Sequence, residues 1–469
     1  MTRSVHLMGI CGTGMGSFAG LLQAAGYQVR GSDENVYPPM SDKLAAWGIP
    51  VLKGYRPENL EPTPDLVIVG NVIRRTNPEA EAVMARELPY SSFPKALGDM
   101  FLAERHSVVV AGTHGKTTTS SLLAWLLYRS ERDPSFLIGG VPENFGEGFR
   151  LGQGDHFIVE GDEYDTAFFD KVPKFVHYRP RTAILTSIEF DHADIYDSVE
   201  TIEKQFEKLV DLIPNTGTIL AAADDERVMR VVERTEADVE RYAIEERPDT
   251  RWHVRDLSFG ADGAHFSIFQ HRIRLGRFHL PMSGRYNVAN AVAATVVALR
   301  LGMSVAEIRD AMAEFKGIAR RQTVRAEVNS IRVIDDFAHH PTAVRQTIDG
   351  IRGRYSEGRI FAIFEPRTAT SSRNYFQDAY ASAFGSADEV IIAAVGRKDL
   401  PEEERLDTGV LAQAIAVSGT TAREVPKIDD IVALLAEEAR PQDTLLFMSN
   451  GGFGGIHNKM IDALKARYA

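Results

Sequence analysis

The sequence predicts an α/β protein built as three domains, on three observations. Its 469 residues exceed one ordinary core, and at ~150 residues per domain they divide into roughly three. Short apolar runs alternate with helix-period segments, as in βαβ units with parallel sheets, and that pattern restarts twice along the chain. Several apolar runs end in glycine-rich turns, the place where open parallel sheets hold ligands.

The first unit, residues 1–104, opens with a strand-like run at 4–8, a helical pattern over 15–25, and strands at 27–30 and 66–69. The second, residues 105–322, restarts with the apolar run 107–111, a long helical run over 116–128, and strands at 157–159 and 182–186. Ile202, Phe206, Leu209 and Ile213 share one helical face, and the Ala/Val-rich stretch 287–301 predicts a buried helix. Residues 245–269 are the hardest to place, and an irregular or antiparallel part of the middle unit is expected there. The third unit, residues 323–469, begins with strands at 326–328 and 331–334 around Asn329 and Ser330. Pro341 suits the first turn of a helix, and strands at 359–364, 389–393 and 444–448 alternate with helical patterns.

Composition removes several function classes. With 44% hydrophobic and 25% charged residues the chain has the make-up of a folded globular protein. A net charge of −12 argues against general nucleic-acid binding. The single cysteine, Cys11, can form no intramolecular disulfide, and no apolar stretch approaches the ~20 residues of a membrane span. The first residues run straight into a strand pattern without the charged and apolar regions of a secretory signal, so the cytoplasm is the expected location.

Three loops carry phosphate-binding chemistry. The strongest is Gly112, Thr113, His114, Gly115, Lys116, Thr117, Thr118 and Thr119, between an apolar strand and a helix. Glycines let backbone N–H groups face phosphate oxygens, the helix N-terminus adds positive potential, Lys116 reaches the β and γ phosphates, and the Thr117 hydroxyl ligates Mg2+. Val110 stands where the longer GxxxxGK[ST] pattern has glycine, so the match is to a shorter GxxGKT form. The second loop, from Gly9 through Gly12, Thr13, Gly14 and Met15 to Gly16, follows the first strand, and Asp33 ends the second. That arrangement suits either a dinucleotide or a nucleotide diphosphate. The third runs from Ser449 through Asn450, Gly451 and Gly452 to His457; its backbone donors suit a carboxylate or phosphate, or the glycines serve only close helix-to-sheet packing.

Acids gather beside the central loop. Glu160 ends a strand where P-loop proteins place an acid near the metal, whereas Asp162, Glu163 and Asp165 read as a solvated acidic loop. Glu189, Asp191, His192 and Asp194 repeat the arrangement; His192 suits a second metal or the transferring phosphoryl group, or an ordinary structural role. Arg320 and Arg321 suit bidentate phosphate contacts or form a solvated pair. Asp335, Asp336, His339 and His340 before Pro341 read as an active-site edge or as a helix cap. No Cys/His spacing suggests zinc, and no GxSxG elbow suggests a serine hydrolase.

Taken together, GICGTGMG, GTHGKTTT, VEGDEYD, EFDHADIY, the Asn287/Asn290 helix, ARR at 319–321 and DDFAHHPT resemble the Mur ligase family in order and spacing, over nearly the whole chain. The resemblance implies a Rossmann-like N-terminal domain that binds a UDP-sugar, a central P-loop ATPase domain, and a Rossmann-like C-terminal domain that receives the incoming amine. It implies Gly12, Thr13, Gly14, Met15, Ser32 and Asp33 near the UDP moiety. Lys116 and Thr117 would lie on the ATP phosphates and Mg2+, Glu160 and His192 at metals, Asn290 near adenine, and Arg321, Asp336 and His339 beside the nucleotide. Within the family, ICGTGMG, GSDENVYPPMS, DEYDTAFFDKVPKFVHYRPRT and SNGGFGGIH resemble most the branch that attaches the tripeptide L-alanyl-γ-D-glutamyl-meso-diaminopimelate to UDP-N-acetylmuramate in murein recycling. In that reaction the acid is activated by ATP as an acyl phosphate.

Arg367, Ser449, Asn450 and Gly451 are expected at the peptide's diaminopimelate end, from charge and backbone donors. Departures from the family pattern are Tyr286 where histidine is frequent, Gly161 for alanine, and Thr186 with Ser187 for an asparagine-rich pair. No carbamylated lysine is evident at a matching position, as in the muramate-accepting branch. The rivals are a ligase that adds L-alanine to the same sugar, a nicotinamide-dependent oxidoreductase, and a P-loop switch protein.

Overall fold

A computed structural model describes residues 3–397 and 400–468. Three large sheets follow one another along the chain, and a two-stranded antiparallel ribbon, Asp165–Ala167 with Asp170–Pro173, stands apart from them. The first is wholly parallel, in the order Val51–Lys53, Gln28–Asp33, Ser4–Met8, Leu66–Val69, Tyr90–Ser92. Its order reverses between the strands Ser4–Met8 and Leu66–Val69, and the chain leaves the C-terminal ends of these strands through Gly9 and Gly70. A crevice opens at such a reversal because successive crossovers pack on opposite faces.

The second sheet has ten strands. Its parallel centre runs Asp238–Tyr242, Thr218–Ala222, Thr182–Leu185, His106–Ala111, His156–Gly161, Ser135–Leu137. Consecutive residues of the inner strands face opposite sides, as the two-residue period requires. Val109, Ala111, Phe157, Val159, Ala183 and Leu185 fill one core, while Val108, Val110, Ile158 and Ile184 fill the other. The stretch 245–269, expected to be irregular or antiparallel, joins this sheet in the antiparallel strands Trp252–Gly260 and Gly263–Gln270, and Ile273–Leu280 pairs beside them, with bulges that interrupt regular alternation.

The third sheet is parallel except at one edge, where Thr323–Val328 pairs antiparallel with Ile331–Asp336. Asn329 and Ser330 both hold positive φ, +48° and +61°, as a two-residue hairpin turn needs. Helix Pro341–Arg354 follows, with His340 as its N-cap.

The three bodies are joined unequally. The apolar core on one face of the central sheet runs without a break into the first sheet's helices, and Phe149 of the strand Phe149–Arg150 packs against Trp47 at 5.1 Å between ring centroids. The third sheet keeps two apolar cores of its own, one per face. It meets the centre through polar contacts, among them Ala193 N–H to Thr370 Oγ1 at 3.2 Å and Arg320 to the carbonyls of residues 449–451, and through Phe190, whose ring lies 6.1 Å from that of Tyr375 and 6.2 Å from that of Phe376. Among the described residues no helix is long and apolar enough to cross a membrane.

Candidate active site

A cleft of roughly 760 Å³ lies between the central and third sheets. The strand His106–Ala111 delivers Gly112, and helix Lys116–Arg129 begins after only three intervening residues, so the backbone must turn tightly. Gly112 holds φ +133° against Thr186 and Ser187, and Gly115 holds φ +83° as the helix N-cap. A Cβ on Gly115 would lie 2.5 Å from Asn290 Oδ1, so only glycine lets helix Arg285–Arg300 approach the loop this closely. Thr113 to Thr118, Asn290, Arg321, Asp336 and His339 all line the cleft, with Tyr286, Asn287, Asp191 and His340. Gly112 lies behind it, its carbonyl accepting from Lys116 Nζ at 2.6 Å. The buried Asn290 amide nitrogen has no hydrogen-bond partner among the described residues, and Arg321 lies over the Phe337 ring at 4.9 Å. Asp336 accepts from Gln322 N–H and Ala338 N–H, both at 2.8 Å; its burial pushes its pKa up against the pull of Arg321.

The acids at the floor of the loop differ in environment. Glu160 accepts from Gly139 N–H at 2.8 Å and from the Thr117 hydroxyl at 3.2 Å, and burial with Asp162 beside it raises its pKa. Glu163 is 2% exposed and lies 3.3 Å from Lys116 Nζ and 3.5 Å from His192 Nε2. The expectation of a solvated loop is therefore corrected for Glu163: Lys116, His192 and the hydroxyl of Tyr196, which donates to the Glu163 carbonyl, enclose it. Asp162 is drawn down to about 2: burial alone would raise it, but Lys174 and then Lys116 outweigh that. The same carboxylates hold Lys116 above its ordinary value despite its desolvation. His192, at φ +52°, faces Glu163, while Thr117 faces Glu160.

A group that the sequence reading did not assemble crosses from the centre to the third sheet. Glu189 Oε2 lies 3.3 Å from His114 Nε2, 3.4 Å from His340 Nδ1 and 2.7 Å from the Thr342 hydroxyl. Burial would raise Glu189, but His114 and His340 bring it to about 2, whereas desolvation lowers His340 to about 4.

The second cleft, roughly 980 Å³, opens at the order reversal of the first sheet. Gly12, Thr13, Gly14, Met15 and Asp33 line it, with Gly9, Asn35, Gly70 and Asn71. Asp33 accepts from Cys11 N–H at 2.8 Å and Asn35 N–H at 2.9 Å, pinning the loop beneath the N-terminus of helix Thr13–Ala24. Ser32 departs from the expectation. It precedes Asp33 on an extended strand, so its side chain points to the opposite face, fully buried, and donates to Glu79 at 2.7 Å beside His6 and Asn59. Tyr164, Thr166 and Lys174 of the central segment close the far end of this cleft.

The third loop meets Arg320, whose Nη2 donates to Ser449 O at 2.7 Å and Gly451 O at 2.6 Å. Ser449 donates to Glu365 at 2.5 Å, and the stem of Arg367 packs over Gly451 where any Cβ would collide; Arg367 itself is 47% exposed. Asn450 adds its carbonyl to the Arg320 contacts at 3.5 Å.

Three family models match in order: the Mur ligase family catalytic domain over residues 4–105, the Mur ligase middle domain over 110–298, and the Mur ligase glutamate ligase domain over 319–451. The chain belongs to the Mur ligase family. This Mur ligase is 39% identical to a UDP-N-acetylmuramate–L-alanyl-γ-D-glutamyl-meso-2,6-diaminoheptandioate ligase of Haemophilus influenzae, over 99% of its own chain and 100% of the relative. The protein of the same description from Escherichia coli K12 is 40% identical over 98% of each. A UDP-N-acetylmuramate–L-alanine ligase of Ruegeria pomeroyi is 33% identical over 98% and 97%. The crystal structure of a murein peptide ligase from Psychrobacter arcticus superposes with a TM-score of 0.73 at 36% identity, covering 98% of both chains. In this Mur ligase, then, the phosphate-type loop and Glu160 stand at strand ends of the central sheet, and the N-terminal glycine turn at a strand end of the first.

Proposed function

We propose that the chain is an ATP-dependent ligase that forms an amide between UDP-N-acetylmuramate and the tripeptide L-alanyl-γ-D-glutamyl-meso-diaminopimelate, in the cytoplasm. The choice of tripeptide over L-alanine is supported by the 39–40% identity to relatives with that description, against 33% to the L-alanine ligase. The observation that carries the reaction type is Asp162, one carboxylate shared by Lys116 of the first cleft, 3.9 Å away, and Lys174 of the second, 2.8 Å away. A phosphate in one cleft and a carboxylic acid in the other are thereby brought to the same place.

In this reading the loop Gly112–Thr118 receives the triphosphate of ATP and the unpaired Asn290 amide faces its base. Arg321, Asp336 and His339 close over the nucleotide from the third sheet. The muramyl lactoyl carboxylate attacks the γ-phosphorus, ADP leaves, and an acyl phosphate remains. The amine of the tripeptide's L-alanine then attacks the acyl carbon, releasing inorganic phosphate and leaving the amide. Lys116 faces the charge that develops on the transferring group, in a site where low dielectric strengthens its effect. Thr117 and Glu160 suit Mg2+, being hard oxygen donors 3.2 Å apart at the start of the helix and the end of the neighbouring strand. When bound, Mg2+ neutralises phosphate charge as a Lewis acid; His192, set against Glu163, is assigned to a separate metal position. The third loop, with Arg367, Ser449, Asn450 and Gly451, is assigned to the diaminopimelate end.

The test supplies UDP-N-acetylmuramate and Mg-ATP with either tripeptide or free L-alanine, and follows phosphate release and product mass. Tripeptide-dependent product supports the reading. Product with L-alanine alone selects the rival ligase, and phosphate release indifferent to either amine selects a nucleotide switch.

A further inference from the structure

We propose that Lys174 receives the lactoyl carboxylate of the muramate sugar and so discriminates this sugar from UDP-sugars that lack the acid. The inference rests on the assignment of the second cleft to a UDP-sugar. Lys174 is the one Lys or Arg among the described residues that line that cleft. It follows the strand Asp170–Pro173 at the start of a short helical turn, so it reaches the N-terminal cleft from the central body. Its side chain is 12% exposed, with the ammonium 4.2 Å from the Tyr164 ring centroid and 5.9 Å from that of Phe93.

Three N–H donors point from that ammonium, and two are spent, on Asp162 Oδ2 and the Tyr164 hydroxyl, each at 2.8 Å. The third has no oxygen or nitrogen acceptor among the described residues, only the faces of the Tyr164 and Phe93 rings, in a site where a charged donor without an acceptor is costly. The diphosphate has its own receptor in the N-terminus of helix Thr13–Ala24, whose first turn carries no acid. A second anion is thus accommodated at the Lys174 end, on the side of Asp162 that leads to Lys116. Of the parts of the sugar nucleotide, the lactoyl group supplies that anion, and it is the acid that must reach the phosphate loop.

The test compares Kd values for UDP-N-acetylmuramate and UDP-N-acetylglucosamine, which differ by the lactoyl acid, in the full-length protein and in Lys174→Met. The variant is expected to bind UDP-N-acetylmuramate about tenfold or more weakly, the size of one charge-assisted hydrogen bond, and UDP-N-acetylglucosamine within about twofold of the original. Equal loss for both sugars, or loss for neither, overturns the assignment. Should Lys174→Met fail to fold, Lys174→Gln keeps a donor for Asp162 without the charge and must show the same selective loss. A wild-type protein that binds neither sugar would instead overturn the assignment of the cleft.

Discussion

Gly115→Ala tests the central loop through its geometry. Gly115 sits at φ +83°, a left-handed conformation that costs an L-residue ~1–2 kcal/mol. The new Cβ would stand 2.5 Å from Asn290 Oδ1, well inside van der Waals contact. Asn290 lies on helix Arg285–Arg300 among buried Ala and Val residues, so its backbone cannot retreat. Relief comes from an off-rotamer Asn290, at about 0.5–1.5 kcal/mol, or from relaxation of the loop. A loop that relaxes must be driven back to present its N–H groups to phosphate, and recovering about 2 kcal/mol weakens ATP binding roughly 30-fold. Titration calorimetry with Mg-ATP and, separately, UDP-N-acetylmuramate reads this directly: the first Kd rises and the second holds. An ATP Kd within twofold of the wild type, or equal weakening of both ligands, would refute the reasoning.

Ser32→Ala removes a buried donor to Glu79 and is expected to lower stability by about 1–3 kcal/mol while UDP-sugar affinity stays within twofold; a selective loss of affinity would put Ser32 back in the cleft. Arg320→Ala leaves the carbonyls of Ser449 and Gly451 without their shared donor, and the KM for the tripeptide should rise about tenfold with the KM for ATP nearly unchanged; an effect confined to ATP would contradict the placement of the third loop. His106 is lowered to about 4, by burial first and then by His156 and Arg181, so between its ordinary value of 6.5 and 4 the unfolded chain binds the proton that the folded chain refuses. Stability therefore holds above about pH 6.5 and declines as pH falls toward 4; melting curves of His106→Gln should show a shallower decline, and parallel curves would remove His106 as a source.

What the sequence revealed was what neighbouring residues decide. The GTHGKTTT turn, its strand and its helix are local, so the loop was legible, as was the turn at Asn329 and Ser330. Asp33 was legible as the end of a strand, but its neighbour Ser32 was grouped with it although the two-residue period sends them to opposite faces. Glu163 was misread because its burial comes from Lys116 and Tyr196, 47 and 33 residues away. Lys174 and the contact of Glu189 with His340 went unseen for the same reason, since both depend on how separate bodies meet. The stretch 245–269 escaped a firm reading because bulges in its strands break the alternation that marks a strand.

The most direct test of acid activation by ATP is the fate of oxygen from the muramyl carboxylate. With that group labelled by 18O and the tripeptide and Mg-ATP supplied, one labelled oxygen should appear in the inorganic phosphate and the other in the new amide. Label carried into AMP, or phosphate free of label alongside amide formation, would contradict the acyl phosphate and with it the role given to Lys116.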